Sequence, residues 1–148
     1  MEQNSSSSQN ENSRFDGLVE SLKGSKISNS KLRDEVFNLL LDDATESPSA
    51  GKFYIFEYDP KFADKLKEWD AYPIIYAMEF KKNNLIGANI HYIRTTNARL
   101  KALNSMSFPK KTLRQYIPKR ADSIFFEIKE SEVQLLSTLP LEKFNYNR

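Results

Sequence analysis

The sequence predicts an α+β protein: a small SH3-like β-barrel or a strongly bent antiparallel sheet, with short helical insertions and a helical N-terminal arm. Three observations point there. The 148 residues include ten Phe, seven Tyr and one Trp, and large rings let a short ordered segment build a core. Before Gly51 the apolar residues fall at helical spacing. After Gly51 they fall into short alternating runs rich in aromatic and β-branched types, as strands do. An open α+β sandwich is the alternative architecture.

The elements follow in chain order. The opening "MEQNSSSSQNENS" has one apolar residue, Met1, and nothing to offset the entropy of ordering it. Residues 1–13 are therefore expected to be a disordered tail. In "RFDGLVESLKGS" the residues Phe15, Leu18, Val19 and Leu22 form a helical stripe that Gly24 can end. "SNSKLRDEVFNLLLDDA" is a stronger helix, with Ser28, Asn29 or Ser30 as cap and Leu32, Val36, Leu39 and Leu40 on one face. Asp42 and Asp43 close it against the macrodipole. "TESPSAG" reads as a linker. Residues 14–50 are thus a helical docking arm with its linker, and residues 51–148 a β-rich globular domain.

In that domain "KFYIFEY" is a strand buried on at least one side. "DPKFADKLKEWDAY" is a long excursion with a helical turn. "PIIYAMEF" and "IGANIHYI" are strands joined by a hairpin at "KKNN", where Asn83 and Asn84 tolerate positive φ. "TTNARLKALNSM" is a helix capped by Thr95 or Thr96. "FPKKTLRQYIPKR" is loop with a short helical turn, "DSIFFEI" a strand, and "ESEVQLLSTLP" a short helix ended by Pro140. No internal repeat is visible.

Several of these stretches form a series: "GKFYIFEYDPK", "WDAYPIIYAMEF", "IGANIHYI", "YIPKRADSIFFEI" and "LPLEKF". The series resembles a family of small proteins encoded by large tailed bacteriophages, whose members carry an aromatic strand ending in Y-x-P-K or Y-D-P-K, a Y-D-x-x-P-L turn, a G-x-N-x-H-Y-L strand and a closing L-P-x-E-x-F. The likeness spans about residues 51–144. The chain departs from it in having "YIRTT" where a proline-containing segment is usual and "EWDAY" where two adjacent tyrosines are common. The resemblance implies a phage setting and a virion or DNA-handling component.

Composition narrows the chemistry. There is no cysteine, so disulfides and thiolate metal sites are excluded and a reducing compartment is compatible. No run reaches the ~20 apolar residues of a membrane span, and the polar N-terminus has no apolar leader stretch. No membrane role is expected. The location expected is the host cytoplasm during infection, or the virion. With four glycines none of which fits a phosphate-cradling loop, and with acidic pairs that read as helix-surface charge, neither a cofactor nor a metal is expected.

The charge is uneven. Residues 1–50 carry five basic and nine acidic groups, net −4, and residues 51–148 carry seventeen and eleven, net +6. From Arg94 to Arg120 eight cations (Arg94, Arg99, Lys101, Lys110, Lys111, Arg114, Lys119 and Arg120) occur without one acidic residue. Like charge at this density repels itself unless something anionic lies opposite. Phosphate meets that need, with Tyr116 and Phe108 placed to stack on unpaired bases. An acidic protein surface, or the chain's own acidic arm, meets it too. The partners expected are nucleic acid and phage assembly proteins. The apolar stripe Phe15, Leu18, Val19, Leu22, Leu32, Val36 and Leu40 is the candidate docking face toward a neighbouring subunit, an oligomeric arrangement, or toward the chain's own sheet edge.

The chain's one histidine, His91, invites a catalytic reading, with Tyr92, Arg94, Glu79 and Asp70 as candidate partners. A metal-independent ribonuclease would use it as a base. Strand alternation accounts for the same residue without chemistry. The reading favoured is a non-enzymatic phage binding module that meets an anionic partner through a basic surface. The alternatives are a nucleic-acid-binding regulator in the infected cell and the His91 ribonuclease.

Overall fold

A computed structural model describes residues 13–24, 26–60, 63–81, 84–117 and 124–147. The expected tail at 1–13 and the Asn83 turn lie largely outside those residues. The chain divides into two compact units, Met1–Asp42 and Asp43–Arg148.

In the first unit, helix α1 is Asp16–Gly24 and helix α2 is Asn29–Leu39. Ser28 is the cap of α2: its hydroxyl accepts from the Lys31 N–H at 3.0 Å, satisfying one of the unpaired donors of the first turn. Phe15, Leu18, Leu32, Val36 and Leu40 are buried and Val19 and Leu22 half-buried. Most of the proposed docking stripe is thus already covered within the chain.

The second unit is an α+β arrangement with a six-stranded antiparallel sheet. Its strands are β1 (Ala44–Thr45), β2 (Phe53–Ile55), β4 (Ile74–Lys81), β5 (Asn84–Asn89), β6 (Leu113–Tyr116) and β7 (Phe125–Ile128), in spatial order β1-β7-β2-β4-β5-β6. β3 (Glu68–Asp70) and β8 (Phe144–Tyr146) form a separate antiparallel ribbon. Helices α3 (Thr96–Ser105) and α4 (Glu130–Ser137) complete it. The sheet is open, with β1 at one edge and β6 at the other. Of the two architectures expected, the α+β antiparallel sheet is present and no barrel closes, since β1 and β6 remain unpaired with each other.

Alternation places Tyr54 and Phe56 on one face, where they meet Ile75, Ala77, Leu85, Tyr116 and Phe125 in the core. The Phe56 ring lies 4.6 Å from that of Phe125 and 5.4 Å from that of Tyr116. Phe53 and Ile55, on the other face, are also buried, so the central strand is covered on both sides. A register shift between Ala77 and Glu79 marks a bulge in β4 and leaves Met78 exposed. Gly51, with φ 89°, takes a backbone conformation that favours glycine at the turn into β2. Among the described residues no helix is long and apolar enough to cross a membrane.

The strand expected over "IGANIHYI" ends at Asn89, and His91 sits in a 3-10 turn, Ile90–Tyr92. The Asn89 side chain causes this, because its Oδ1 accepts from the His91 N–H at 2.9 Å and so caps the turn. Four further strands lie where loop, linker or a helix end was expected: β1, β3, β6 and β8.

Candidate nucleic-acid interface and the buried network beneath it

The acid-free segment runs from the 3-10 turn at His91, along α3, through a second 3-10 turn at Lys110–Thr112, into β6. Its cations divide by burial. Arg94, Lys101, Lys110 and Lys111 are exposed and Arg114 half-buried. Lys119 and Arg120 lie outside the described residues. Arg99 is buried: its Nε donates to the Ile93 carbonyl at 2.6 Å, one terminal nitrogen to Ser137 at 2.8 Å, the other to His91 at 3.3 Å. It ties the His91 turn to the end of α4 and offers nothing to a partner. Tyr116 is buried in the aromatic core, and the Phe108 ring stacks on Tyr76 at 5.7 Å. Two of the groups expected to touch a ligand, Arg99 and Tyr116, are therefore structural, for a reason sequence spacing does not carry: each faces inward.

Two arginines of the segment come together on a pair of rings. The Arg114 guanidinium carbon lies 3.9 Å from the Tyr92 ring centroid, and that of Arg94 lies 4.6 Å from Phe144. Tyr92 and Phe144 meet edge-on at 5.2 Å. The Arg114 terminal nitrogen also donates to the carbonyls of Lys111 and Leu113, both at 2.8 Å. Arg114 is thus held in one orientation, three and four residues along the chain from the exposed Lys111 and Lys110, and planar guanidinium groups match phosphate geometry. Arg94 is steadied by Glu68 at 3.5 Å. Sequence reasoning missed Phe144 and Trp69. Phe144 reaches the site only through the β3–β8 ribbon, which has no signal in local periodicity.

Beside these rings is a cavity of about 120 Å³, with Trp69, Glu68, Asp70 and Arg114 in its wall. Behind it lies a buried polar network. His91 is fully buried and its Nδ1 is 2.6 Å from Asp70 Oδ2. The same oxygen accepts from the Asn89 amide at 3.1 Å. Asp70 Oδ1 accepts the N–H groups of Tyr72 at 3.0 Å and Lys143 at 3.1 Å. Burial pushes the Asp70 carboxyl up, but the His91 hydrogen bond and charge, with the Asn89 and Tyr72 donors, outweigh it and hold it below the usual carboxylate range. Asp70 is therefore the acceptor, and His91 Nδ1 carries the shared hydrogen. On the far side His91 Nε2 faces Glu142 Oε1 at 3.9 Å, neither with a hydrogen-bond partner, and Glu142 Oε2 lies 3.6 Å from Arg99. Burial also raises Tyr116 well above the usual phenol range, and raises Tyr92 despite the Arg114 charge beside it.

The stretches "WDAY", "ANIHY" and "LEKF", far apart in the chain, supply this network and the ring pair above it. His91 does sit beside a carboxylate, as a catalytic histidine would, but its ring has no exposed atom from which to reach a phosphate. Among the described residues no group of three or more His, Asp or Glu is placed to hold a metal ion.

A family model described as phage T4 terminal DNA protecting protein matches residues 19–108, more than half of the chain. The matched stretch includes Asp70, His91, Tyr92, Arg94 and Lys101 and stops short of Lys110. No curated protein and no solved structure matches the chain.

Proposed function

This chain belongs to the phage T4 terminal DNA protecting protein family, and from that premise we propose that it binds and covers the ends of DNA through Arg94 and Arg114 together with the exposed Lys101, Lys110 and Lys111. The observation that carries this reading is the pairing of Arg94 and Arg114 on the Tyr92–Phe144 rings, with Arg114 also bonded to the Lys111 carbonyl. Preoriented guanidinium groups and exposed ammonium groups grip a phosphate backbone without reading its sequence. A protein that guards termini of any sequence needs that kind of grip. The role is one of occupancy, not of turnover, and the enclosure of His91 supports it.

The test is a nuclease time course on linear duplex DNA. Bound protein is expected to slow degradation from the ends and to leave the rate of an endonuclease on a closed circle unchanged. Lys101→Glu, Lys110→Glu and Lys111→Glu together should abolish protection while leaving the fold intact, since all three side chains project into solvent. Equal degradation with and without the parent protein would remove the reading. Work as a virion component is the finer form of the proposal: the chain should then appear in mass spectra of purified particles. Its absence there would favour a protein acting on DNA in the infected cell.

A further inference from the structure

We propose that the cavity beside Tyr92 takes one unpaired base at a DNA terminus, a proposal that rests on the DNA-end reading above and says how an end is told from the interior of a duplex. The cavity measures about 120 Å³, and Tyr58, Glu68, Trp69, Asp70, Arg114 and Gln115 line it. A cavity of about 150 Å³ holds a benzene ring, so this smaller space takes the edge of a single planar ring and not a run of nucleotides. Two of its walls, Tyr58 and Trp69, are aromatic and half-buried, the surface on which a base of any sequence can stack.

Charge decides which part of the nucleotide enters. Asp70 is held ionised, and Glu68 lines the same space. Two carboxylates repel a phosphate from the interior. Asp70 is already taken by four donors, so Glu68 is the carboxylate left to accept a hydrogen bond from the exocyclic amino group of a base. The cation stands at Arg114, fixed by the carbonyls of Lys111 and Leu113, with Lys110 and Lys111 next to it in the chain. The arrangement therefore orients a nucleotide with its base inward and its phosphate on Arg114. A base enters only if it is unpaired and out of the stack. That requirement is met most easily at a terminus, and inside a duplex it needs unpairing and unstacking of the helix. A slot for the edge of one base beside a phosphate grip thus converts general affinity for DNA into preference for ends.

Trp69 is the chain's one tryptophan, so intrinsic tryptophan fluorescence reports on this cavity alone. The full-length chain is titrated with a linear duplex bearing a single unpaired cytidine at each end, and with a relaxed, covalently closed circle of the same sequence. Anisotropy of a labelled DNA measures binding in parallel. The overhanging duplex is expected to quench Trp69 and the circle to leave it nearly unchanged. Trp69→Leu is expected to lose about tenfold in affinity for the overhanging ends, as for loss of one stacked base, and none for the circle. Trp69→Phe should restore most of it. Equal quenching by both DNAs, no quenching while anisotropy reports end binding, or undiminished end preference in Trp69→Leu would each overturn the cavity assignment and leave the DNA-end reading standing. No preference for ends in the parent protein would overturn both. The fluorescence comparison needs no variant, so it decides the matter even if Trp69→Leu fails to fold.

Discussion

Asp70 shows how one side chain can organise a site it does not present to a ligand. Its two oxygens accept from four donors: the His91 ring, the Asn89 amide, and the N–H groups of Tyr72 and Lys143. A carboxylate is acceptor-only and satisfies all four, whereas an amide would turn an NH₂ toward donors. Asp70→Asn is therefore expected to cost about 3 kcal/mol of stability, the size of a broken buried charge pair, read as a lower midpoint in chemical denaturation. The sign of the pH dependence follows from the lowered carboxyl. The folded protein holds the Asp70 proton less tightly than the unfolded chain, whose Asp titrates near ~3.9. The stabilisation is complete above that value and is lost as pH falls from it toward the lower folded value. Asp70→Asn should flatten this acid limb, and an unchanged limb would refute the assignment. The sequence offered Asp70 as one of four partners for His91, along with Tyr92, Arg94 and Glu79. Choosing among them required knowing that "EWD" is a strand, and nothing in its local pattern says so.

Elements were legible where local chemistry decides them and obscure where distant partners do. Helices α1 to α4 carry apolar stripes, and Ser28 and Thr95 cap α2 and α3 by accepting from N–H groups three residues on. β2, β4, β5 and β7 carry aromatic or β-branched runs. β1, β3, β6 and β8 are two to four residues long, too short to show a period, and exist because another strand offers a ladder. The SH3-like barrel expected from several short strands failed for the same reason: topology lies in the pairing. Two elements make sharp predictions. Gly87 lies in β5, where an added Cβ would meet Ile75 Cδ1 at 3.0 Å and the Tyr76 carbonyl at 3.2 Å. The backbone oxygen cannot swing aside, so Gly87→Ala should destabilise by about 1–3 kcal/mol through overpacking, seen as a shifted denaturation midpoint. Met106 follows α3 in the left-handed region, φ 52° and ψ 40°, with its side chain well exposed. That region disfavours non-glycine residues by about 1–2 kcal/mol. Met106→Gly should relieve most of that and raise stability by about 0.5–1 kcal/mol, net of the added freedom of the unfolded chain. A destabilised Met106→Gly would mean that the methionine packs more than its exposure indicates.

At the scale of the whole molecule the number of charges along the chain is legible in the sequence, and which of them face solvent is not. The acid-free stretch from Arg94 led to the expectation of a cationic surface, yet Arg99 of that stretch is spent on carbonyls and Glu142, because buried carbonyls at a helix end need donors as much as phosphates do. The cations left for the proposed DNA contact are a smaller set, and this sets a number. Each Lys or Arg that meets a phosphate adds about 0.9 to the slope of log K against log salt on duplex DNA. Lys110→Ala with Lys111→Ala should therefore lower the magnitude of that slope by about 2 and weaken binding evenly across sequences. Arg114→Ala should do more than remove one phosphate contact, because the guanidinium also lies on the Tyr92 ring and bonds two carbonyls. Its loss should reduce the preference for ends over closed circles, which the lysine pair should leave intact. Fluorescence anisotropy over a range of salt concentrations, with linear and circular DNA, separates the two effects. A slope unmoved by the lysine pair would place the phosphate grip on another face of the protein.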